Sequence, residues 1–220
     1  MTKLVIIGCG GFGREVHDVV DAIAQRGGEI ELLGFVDDDP SPANRTLIEK
    51  RGSRILGPLS WLDEAPSDTS YVIGIGNPRI ADRIDRQICC RKLTAFTLVH
   101  PESTLGWNVF LSPGTIVCAG ARLSTNITTG RHVHIDRNCL VGHDSHIGDY
   151  TVMFPGATVA GGVNVGARAL LGSNSTVIQE LETGSDVTVG AGAVVARNIP
   201  AGVTAVGVPA RWTNLAPLTR

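Results

Sequence analysis

The sequence predicts two units of different class: a small Rossmann-like parallel α/β sheet over residues 1–98 and a parallel β-helix of triangular coils over residues 99–220. Three observations predict this. From residue 103 to residue 198 the chain keeps a six-residue period without insertion or deletion, sixteen hexads, with Leu, Ile, Val or Met at the third position of fourteen. Residues 3–7 (KLVII) are a near-continuous apolar run that passes into GCGGFGREV and then an amphipathic stretch. Further apolar runs alternate with helical patterns as far as residue 92, the order expected of a parallel sheet.

The N-terminal elements follow from local chemistry. The strand at 3–7 leads through a glycine turn into a helix ending near Arg26. A second strand, ELLGFVDDD at 31–39, is broken by Pro40, Ser41 and Pro42, and residues 43–51 form a short helix or loop. Ile55 to Pro58 make a brief third strand, and Ser60 is placed to N-cap a helical turn at Trp61–Glu64. YVIGIG at 71–76 is another buried strand, Asn77-Pro78 a turn, and residues 79–92 a helix. Residues 93–102 supply an exit strand and the link, with the domain boundary near 98–102.

The hexad period fits neither 3.6 residues nor simple alternation, and a fixed short period marks a solenoid. Each hexad supplies a short strand and a corner, with the third side chain pointing inward. The two exceptions at that position are Thr129 and Thr183, and the first position is mostly small or β-branched. Three hexads close one coil, so sixteen make about five coils, a prism roughly 25 Å tall at the usual inter-strand spacing. Gly142, Gly148, Gly166 and Gly172 fall at corners, where tight or positive-φ turns are expected. The period ends at Asn198-Ile199-Pro200, and a turn or short helix at 210–218 is expected to cap the open end. By itself such a repeat predicts a scaffold rather than a catalyst.

Composition narrows the function. With 220 residues, a net charge of −2 and no basic block, the chain is unsuited to nucleic acid or an anionic membrane as main partner. It shows neither a signal-peptide pattern nor an apolar run of bilayer length. Five cysteines without metal-type spacing suit reduced thiols in the cytoplasm, and Cys118 and Cys139 pack as small apolar residues inside the repeat.

Two clusters carry chemistry. Gly8-x-Gly10-x-x-Gly13 lies between strand and helix, where backbone can approach a phosphate, and Asp37, Asp38 and Asp39 end the second strand, where a ribose or base contact is expected. A purely structural tight turn is the alternative. The loop Gly74-Ile75-Gly76-Asn77 leaves the same sheet edge and either walls the site or is an ordinary strand exit. The second cluster is His132, His134, His143 and His146, four of the six histidines. His143 precedes Asp144 at a corner, where side chains project outward, and a carboxylate beside an imidazole fixes its tautomer and stabilises its cation. A solvated polar corner is the alternative for each of the four. Metal-type spacing is missing, so no metal is expected.

The string CLVGHDSHIGDYTVMFPGATVAGGVNVGARALLGSNSTVI, the later VTVGAGAVVARNIP and the closing GVPAR resemble the hexapeptide-repeat sugar acetyltransferases of bacterial glycan pathways. The start LVIIGCGGFGREV narrows the resemblance to enzymes that acetylate nucleotide-linked amino sugars, related to the sialic acid O-acetyltransferases. The resemblance implies a left-handed β-helix, acetyl-CoA as co-substrate, and a homotrimer whose active site lies between neighbouring prisms. It implies His143 as general base and Asp144, often Glu in relatives, as its partner. The pantetheine arm would pass Gly161, Ser173 and Ala191, with Val208, Pro209 and Arg211 near the nucleotide end of CoA. The nucleotide of the acceptor would sit at Gly10, Gly11, Phe12, Asp37 and Asn77. Where some relatives carry a second histidine nine residues after the base, this chain has Val152. The implied reaction is direct transfer of acetyl to a sugar amine in the cytoplasm; O-acetylation of a sugar and a non-catalytic nucleotide-sugar-binding scaffold are the alternatives.

Overall fold

The computed structural model describes residues 1–213, which form two compact units, Met1–Pro101 and the part from Glu102 onward. The first unit is β1 (Thr2–Ile7), α1 (Gly11–Gln25), β2 (Ile30–Val36), α2 (Pro42–Lys50), β3 (Ile55–Gly57), a 3₁₀ turn (Leu59–Asp63), β4 (Thr69–Ile73), α3 (Pro78–Ile88) and β5 (Thr94–Ala95). Its strands are all parallel in the order β3-β2-β1-β4-β5. β1 pairs on both edges and is covered on both faces, so Leu4 to Ile7 are at most 2% exposed, which is why KLVII does not alternate. The strand order reverses between β1 and β4, and the carboxyl ends there form the crevice in which open α/β sheets bind ligands.

Local chemistry sets the helix starts. Ser41 caps α2, its Oγ accepting from Asn44 N at 3.2 Å, with Pro42 at the first helical position. β2 stops at Val36, short of the expected residue 39, so Pro42 begins a helix and does not end the strand. Asn77 caps α3, its Oδ1 accepting from Arg79 N at 3.0 Å and Ile80 N at 3.2 Å. Three further expectations need correcting. Ser60 lies inside the 3₁₀ turn, whose N-cap is Pro58. α3 stops at Ile88 rather than running to Lys92. β4 ends at Ile73, so Gly74 onward is already loop.

The second unit is a left-handed parallel β-helix. Strands of two or three residues mostly occupy hexad positions two and three, and within the repeat each pairs with the strand eighteen residues away, as in Arg122↔Leu140, Leu140↔Thr158, Thr158↔Thr176 and Thr176↔Val194. Three faces result, represented by Leu140–Val141, His146–Ile147 and Val152–Met153. Third-position side chains from Val117 to Val195 are at most 4% exposed, whereas Leu105 in the first coil is 41% exposed. Most first-position side chains also point in, including Thr115, Ala121, Ile127, Val133 and Cys139, so two of every six residues build the core. The two threonine exceptions are buried as well, and Thr129 Oγ1 meets Thr115 Oγ1 at 3.0 Å.

The corners obey a rule not anticipated from the glycines. Every sixth hexad position from Asn108 to Gly192 has a φ between 51° and 80°, in ten non-glycine residues and five glycines. The fourth-position residues Gly142, Gly148, Gly166 and Gly172 have no such φ. They are required because the next coil stacks against them, with Ala160 and Gly161 backbone 2.5 Å from a Cβ built on Gly142. The C-terminal cap also differs from expectation. Thr204–Val206 extends the third face, and Arg211–Thr213 pairs with it antiparallel instead of forming a helix. The remainder of the expected 210–218 cap lies outside the described residues. Among the described residues no helix is long and apolar enough to cross a membrane.

Candidate active site

His143 and Asp144 occupy hexad positions five and six, which turn outward at the corner between the first and second faces. Their side chains are 63% and 58% exposed, and His143 Nδ1 lies 2.7 Å from Asp144 Oδ2. A carboxylate can only accept, so Nδ1 carries the proton and Nε2 presents its lone pair. Asp144 has a second donor, Asn126 Nδ2, at 2.7 Å from Oδ1. These contacts, Asn126 foremost and then His143, hold the Asp144 carboxyl below its usual range.

Gly161 stacks one coil beyond His143. A Cβ there would lie 2.5 Å from His143 Nε2, so the missing side chain keeps the basic edge of the imidazole open. Ser173 and Ala191 stand at the next corner back along the chain, one coil apart, and Gly207–Pro209 closes the column above them with Gly207 O accepting from Val194 N at 3.0 Å. All three residues are at hexad position five. Among the described residues, the backbone N–H groups of Gly161, Ser173 and Ala191 donate to no protein acceptor. The strands Thr158–Val159, Thr176–Val177 and Val194–Val195 separate the two columns. A single chain therefore brings Gly161 to His143 but leaves Ser173, Ala191, Val208 and Pro209 across a face. Arg211 is exposed beside Trp212, whose ring carries the Arg197 guanidinium 4.4 Å from its centroid.

The first unit holds a cavity of about 470 Å³ at the carboxyl ends of β1 and β2, lined by Ile7, Gly8, Asp37, Asp39, Arg83 and Gln87 among others. Asp37 fixes the glycine loop, its Oδ2 accepting from Cys9 N at 2.8 Å, and still lines the cavity. Asp38 Oδ1 accepts from Leu59 N at 2.6 Å and holds the 3₁₀ turn. Of the glycine motif, Gly8 has φ +98° and Gly13 packs on Gly8 O and Gly74 O, so both are structural. Gly10 and Gly11 are different, since a Cβ on either would meet nothing within 4 Å. Phe12 is half-buried beside them. Asn77 is the α3 cap, and the cavity lining does not include it. Arg83 and Gln87, one turn apart on α3, were not singled out from sequence; their spacing with Ile80 and Ile84 on one helical face was the available signal.

The other candidates resolve physically. His132 and His134 are fully buried and so are not solvated corners, while His146 is exposed and its Nδ1 lies 2.9 Å from Thr128 Oγ1. Val152 is buried on the third face, away from the His143 corner. Burial pushes the Cys139 thiol up to about 12, and burial with Asp37 does the same to Cys9, so neither is a thiolate near neutral pH. Among the described residues no group of three or more metal-ligating side chains converges.

With this geometry in view, the chain resembles known proteins over nearly its whole length. The PglD N-terminal domain family matches residues 3–88. The chain is 31% identical over 220 residues to GDP-perosamine N-acetyltransferase of Escherichia coli O157:H7, covering 96% of each. Perosamine N-acetyltransferase from Caulobacter crescentus, solved as a histidine-to-asparagine variant with CoA and GDP-perosamine, aligns with a TM-score of 0.82 at 30% identity and 96% coverage of both chains. WeeI from Acinetobacter baumannii AYE aligns with a TM-score of 0.84 at 26% identity, covering 97% of this chain and all of that one (100%).

Proposed function

Because the chain belongs to the nucleotide-amino-sugar N-acetyltransferases of the hexapeptide-repeat family, we propose that its acceptor is a GDP-linked amino sugar such as GDP-perosamine and that His143 is the general base. The chain is an acetyl-CoA-dependent N-acetyltransferase. The observation that carries the base assignment is the exposed His143 imidazole, fixed by Asp144 at 2.7 Å with Nε2 open above Gly161.

Acetyl-CoA fits the groove that a neighbouring subunit would complete on two grounds: the missing side chain at Gly161 on one wall, and on the other the undonated N–H groups of Ser173 and Ala191, which match the amide carbonyls of a pantetheine arm. Bound there, it supplies an activated acyl group as a thioester. His143 Nε2 accepts a proton from the sugar amine as the nitrogen bonds to the acyl carbon, and the same nitrogen returns a proton to the sulfur as the C–S bond breaks. The Gly161 N–H is placed to donate to the carbonyl oxygen as charge gathers on it. No cysteine or serine nucleophile is required. In the first unit, Gly10, Gly11, Phe12, Asp37 and the cavity beside them hold the nucleotide, and Asn77 acts through the cap it gives α3.

The two columns support a homotrimer. His143 with Gly161 and Ser173 with Ala191 lie on different corners, so one groove uses both sets when a neighbouring subunit sets its corner against this one. Such a neighbour would also cover His143, 63% exposed in the single chain, and exclude water from the base. The reading places the enzyme in the cytoplasm with its thiols free, and includes the wider kinship with the sialic acid O-acetyltransferases.

The test is direct. His143→Ala lowers kcat by at least about 10² if the base is assigned correctly, with the circular dichroism spectrum unchanged. Turnover at the wild-type rate would end the assignment. Thiol release from acetyl-CoA with GDP-, UDP- and dTDP-linked amino sugars, and with the hydroxyl counterpart of the best acceptor, separates the nucleotides and N- from O-transfer. No release with any of them would leave a binding protein.

A further inference from the structure

Corner residues of successive coils make a ladder that ends at the proposed base. Asn108, Asn126 and Asp144 occupy the same hexad position in three consecutive coils, all with left-handed φ, at 55°, 56° and 57°. Asn108 Nδ2 donates to Asn126 Oδ1 at 2.8 Å, and Asn126 Nδ2 donates to Asp144 Oδ1 at 2.7 Å. Asp144 Oδ2 in turn receives His143 Nδ1 at 2.7 Å. Chemistry fixes the direction of every bond. Asp144 can only accept, so Asn126 must present its NH₂, which leaves its carbonyl to receive Asn108. The column containing Asn138 and Asn174 is built otherwise: beneath each asparagine lies Gly120 or Gly156, and the carboxamide rests on bare backbone. At the His143 corner the side chains are instead joined in series toward the base.

We infer that Asn126, held by Asn108, is a positioning residue that locks the Asp144 carboxylate so that His143 keeps its proton on Nδ1 and its lone pair on Nε2. This deepens the proposed function and rests on its assignment of His143. The groups around the pair favour the ladder as the controlling element. Below Asp144 are the neutral Asn126 and Asn108; above it is Gly162, followed one coil later by Glu180. His143 is the one ionisable group among the contacts that displace the Asp144 carboxyl.

The experiment uses the full-length enzyme and the pH dependence of kcat/KM. Asn126→Gly is the informative variant because glycine accepts the left-handed φ and removes only the carboxamide. A released Asp144 stabilises the imidazolium less well, so the acid limb moves to lower pH. Loss of the fixed tautomer and a weaker base lower plateau kcat by about tenfold. Asn108→Gly moves both quantities the same way by less. Asn126→Asp removes the donor and adds a carboxylate, so it lowers plateau kcat but moves the limb to higher pH. His143→Ala is run alongside. Retained activity in His143→Ala overturns the base assignment itself. An inactive His143→Ala with an unmoved acid limb in Asn126→Gly, whether or not kcat falls, overturns the ladder and leaves Asn126 a structural corner.

Discussion

The Cβ that Gly161 lacks would stand 2.5 Å from Nε2 of His143. Imidazole and glycine are eighteen residues apart, one coil, so their proximity is a product of the repeat. Asp144 holds the ring by Nδ1, and the ring cannot swing from an added methyl without stretching that 2.7 Å bond. Gly161→Ala is therefore expected to lower kcat by about tenfold or more while the protein still melts cooperatively. Steady-state kinetics beside a thermal melt check this, and a full wild-type kcat would show that Nε2 is not the reacting edge.

The glycine loop separates structural from ligand-facing positions. A Cβ on Gly13 would collide with Gly8 O and come within 3.4 Å of Gly74 O, and a Cβ on Gly74 would lie 2.7 Å from Gly13 Cα. Gly13→Ala should cost about 1–3 kcal/mol, as overpacking does, seen as a lower urea midpoint. Gly10→Ala has open space and should leave stability within about 0.5 kcal/mol. Its effect should fall on KM for the nucleotide sugar, which rises, with KM for acetyl-CoA unchanged. Equal rises in both would remove Gly10 from the acceptor site.

Arg83 is the cation of the cavity at the end of β2. It is exposed, lines the same space as Asp37 and Asp39, and among the described residues pairs with no carboxylate. A cation left unpaired at the crevice of an α/β sheet is available to an anionic or acceptor-rich ligand group. Arg83→Ala should raise KM for the nucleotide sugar about tenfold, or roughly 1.4 kcal/mol of binding. The check is a titration of the free nucleoside diphosphate by calorimetry, and unchanged affinity would place the nucleotide elsewhere.

His17 makes the first unit pH-sensitive. It is 8% exposed, packs edge-on to Phe35 with ring centroids 5.7 Å apart, and lies 3.5 Å from Asp21. That carboxylate does not keep it charged, because Arg51 already engages Asp21 and Asp18 at 2.6 Å each. Burial, with Arg51 second, holds the His17 pKa below the ordinary 6.5. The folded state thus binds fewer protons than the unfolded one, and this contribution is present above about pH 6.5 and lost as pH falls below it. Tm should drop between pH 7 and pH 5.5, with a smaller drop in His17→Phe. Equal drops in the two would assign the pH dependence to other groups.

Much of this was legible in the sequence because the repeat is rigid. A third-position apolar residue every six positions fixed the prism, and the HD dipeptide at a corner located the exposed pair. Two things were not legible. Asn108 and Asn126 meet Asp144 at intervals of eighteen, a coil length that says which residues stack but not which side chains reach each other. Arg83 and Gln87 carry an amphipathic helix's usual polar groups, and only the cavity distinguishes them from a solvated face. Pro42 and Ser60 misled for a related reason: N-cap and breaker chemistry overlap, and the element that forms is set by its N-cap, Ser41 in one case and Pro58 in the other.

The corner rule itself can be tested. Glu180 has φ 59°, a region in which a long L side chain is strained by about 1–2 kcal/mol, and among the described residues its carboxylate makes no hydrogen bond or ion pair that compensates. Glycine removes that strain but gives back about 0.5–1 kcal/mol through the freer unfolded chain. Glu180→Gly should then gain up to about 1 kcal/mol and raise Tm by about 2–4 °C. Asn174, at φ 55°, sits in a conformation asparagine tolerates, so Asn174→Gly should gain almost nothing. Paired urea melts of the two variants decide the matter: a lower midpoint for Glu180→Gly would show that the left-handed corners are not where this fold stores strain.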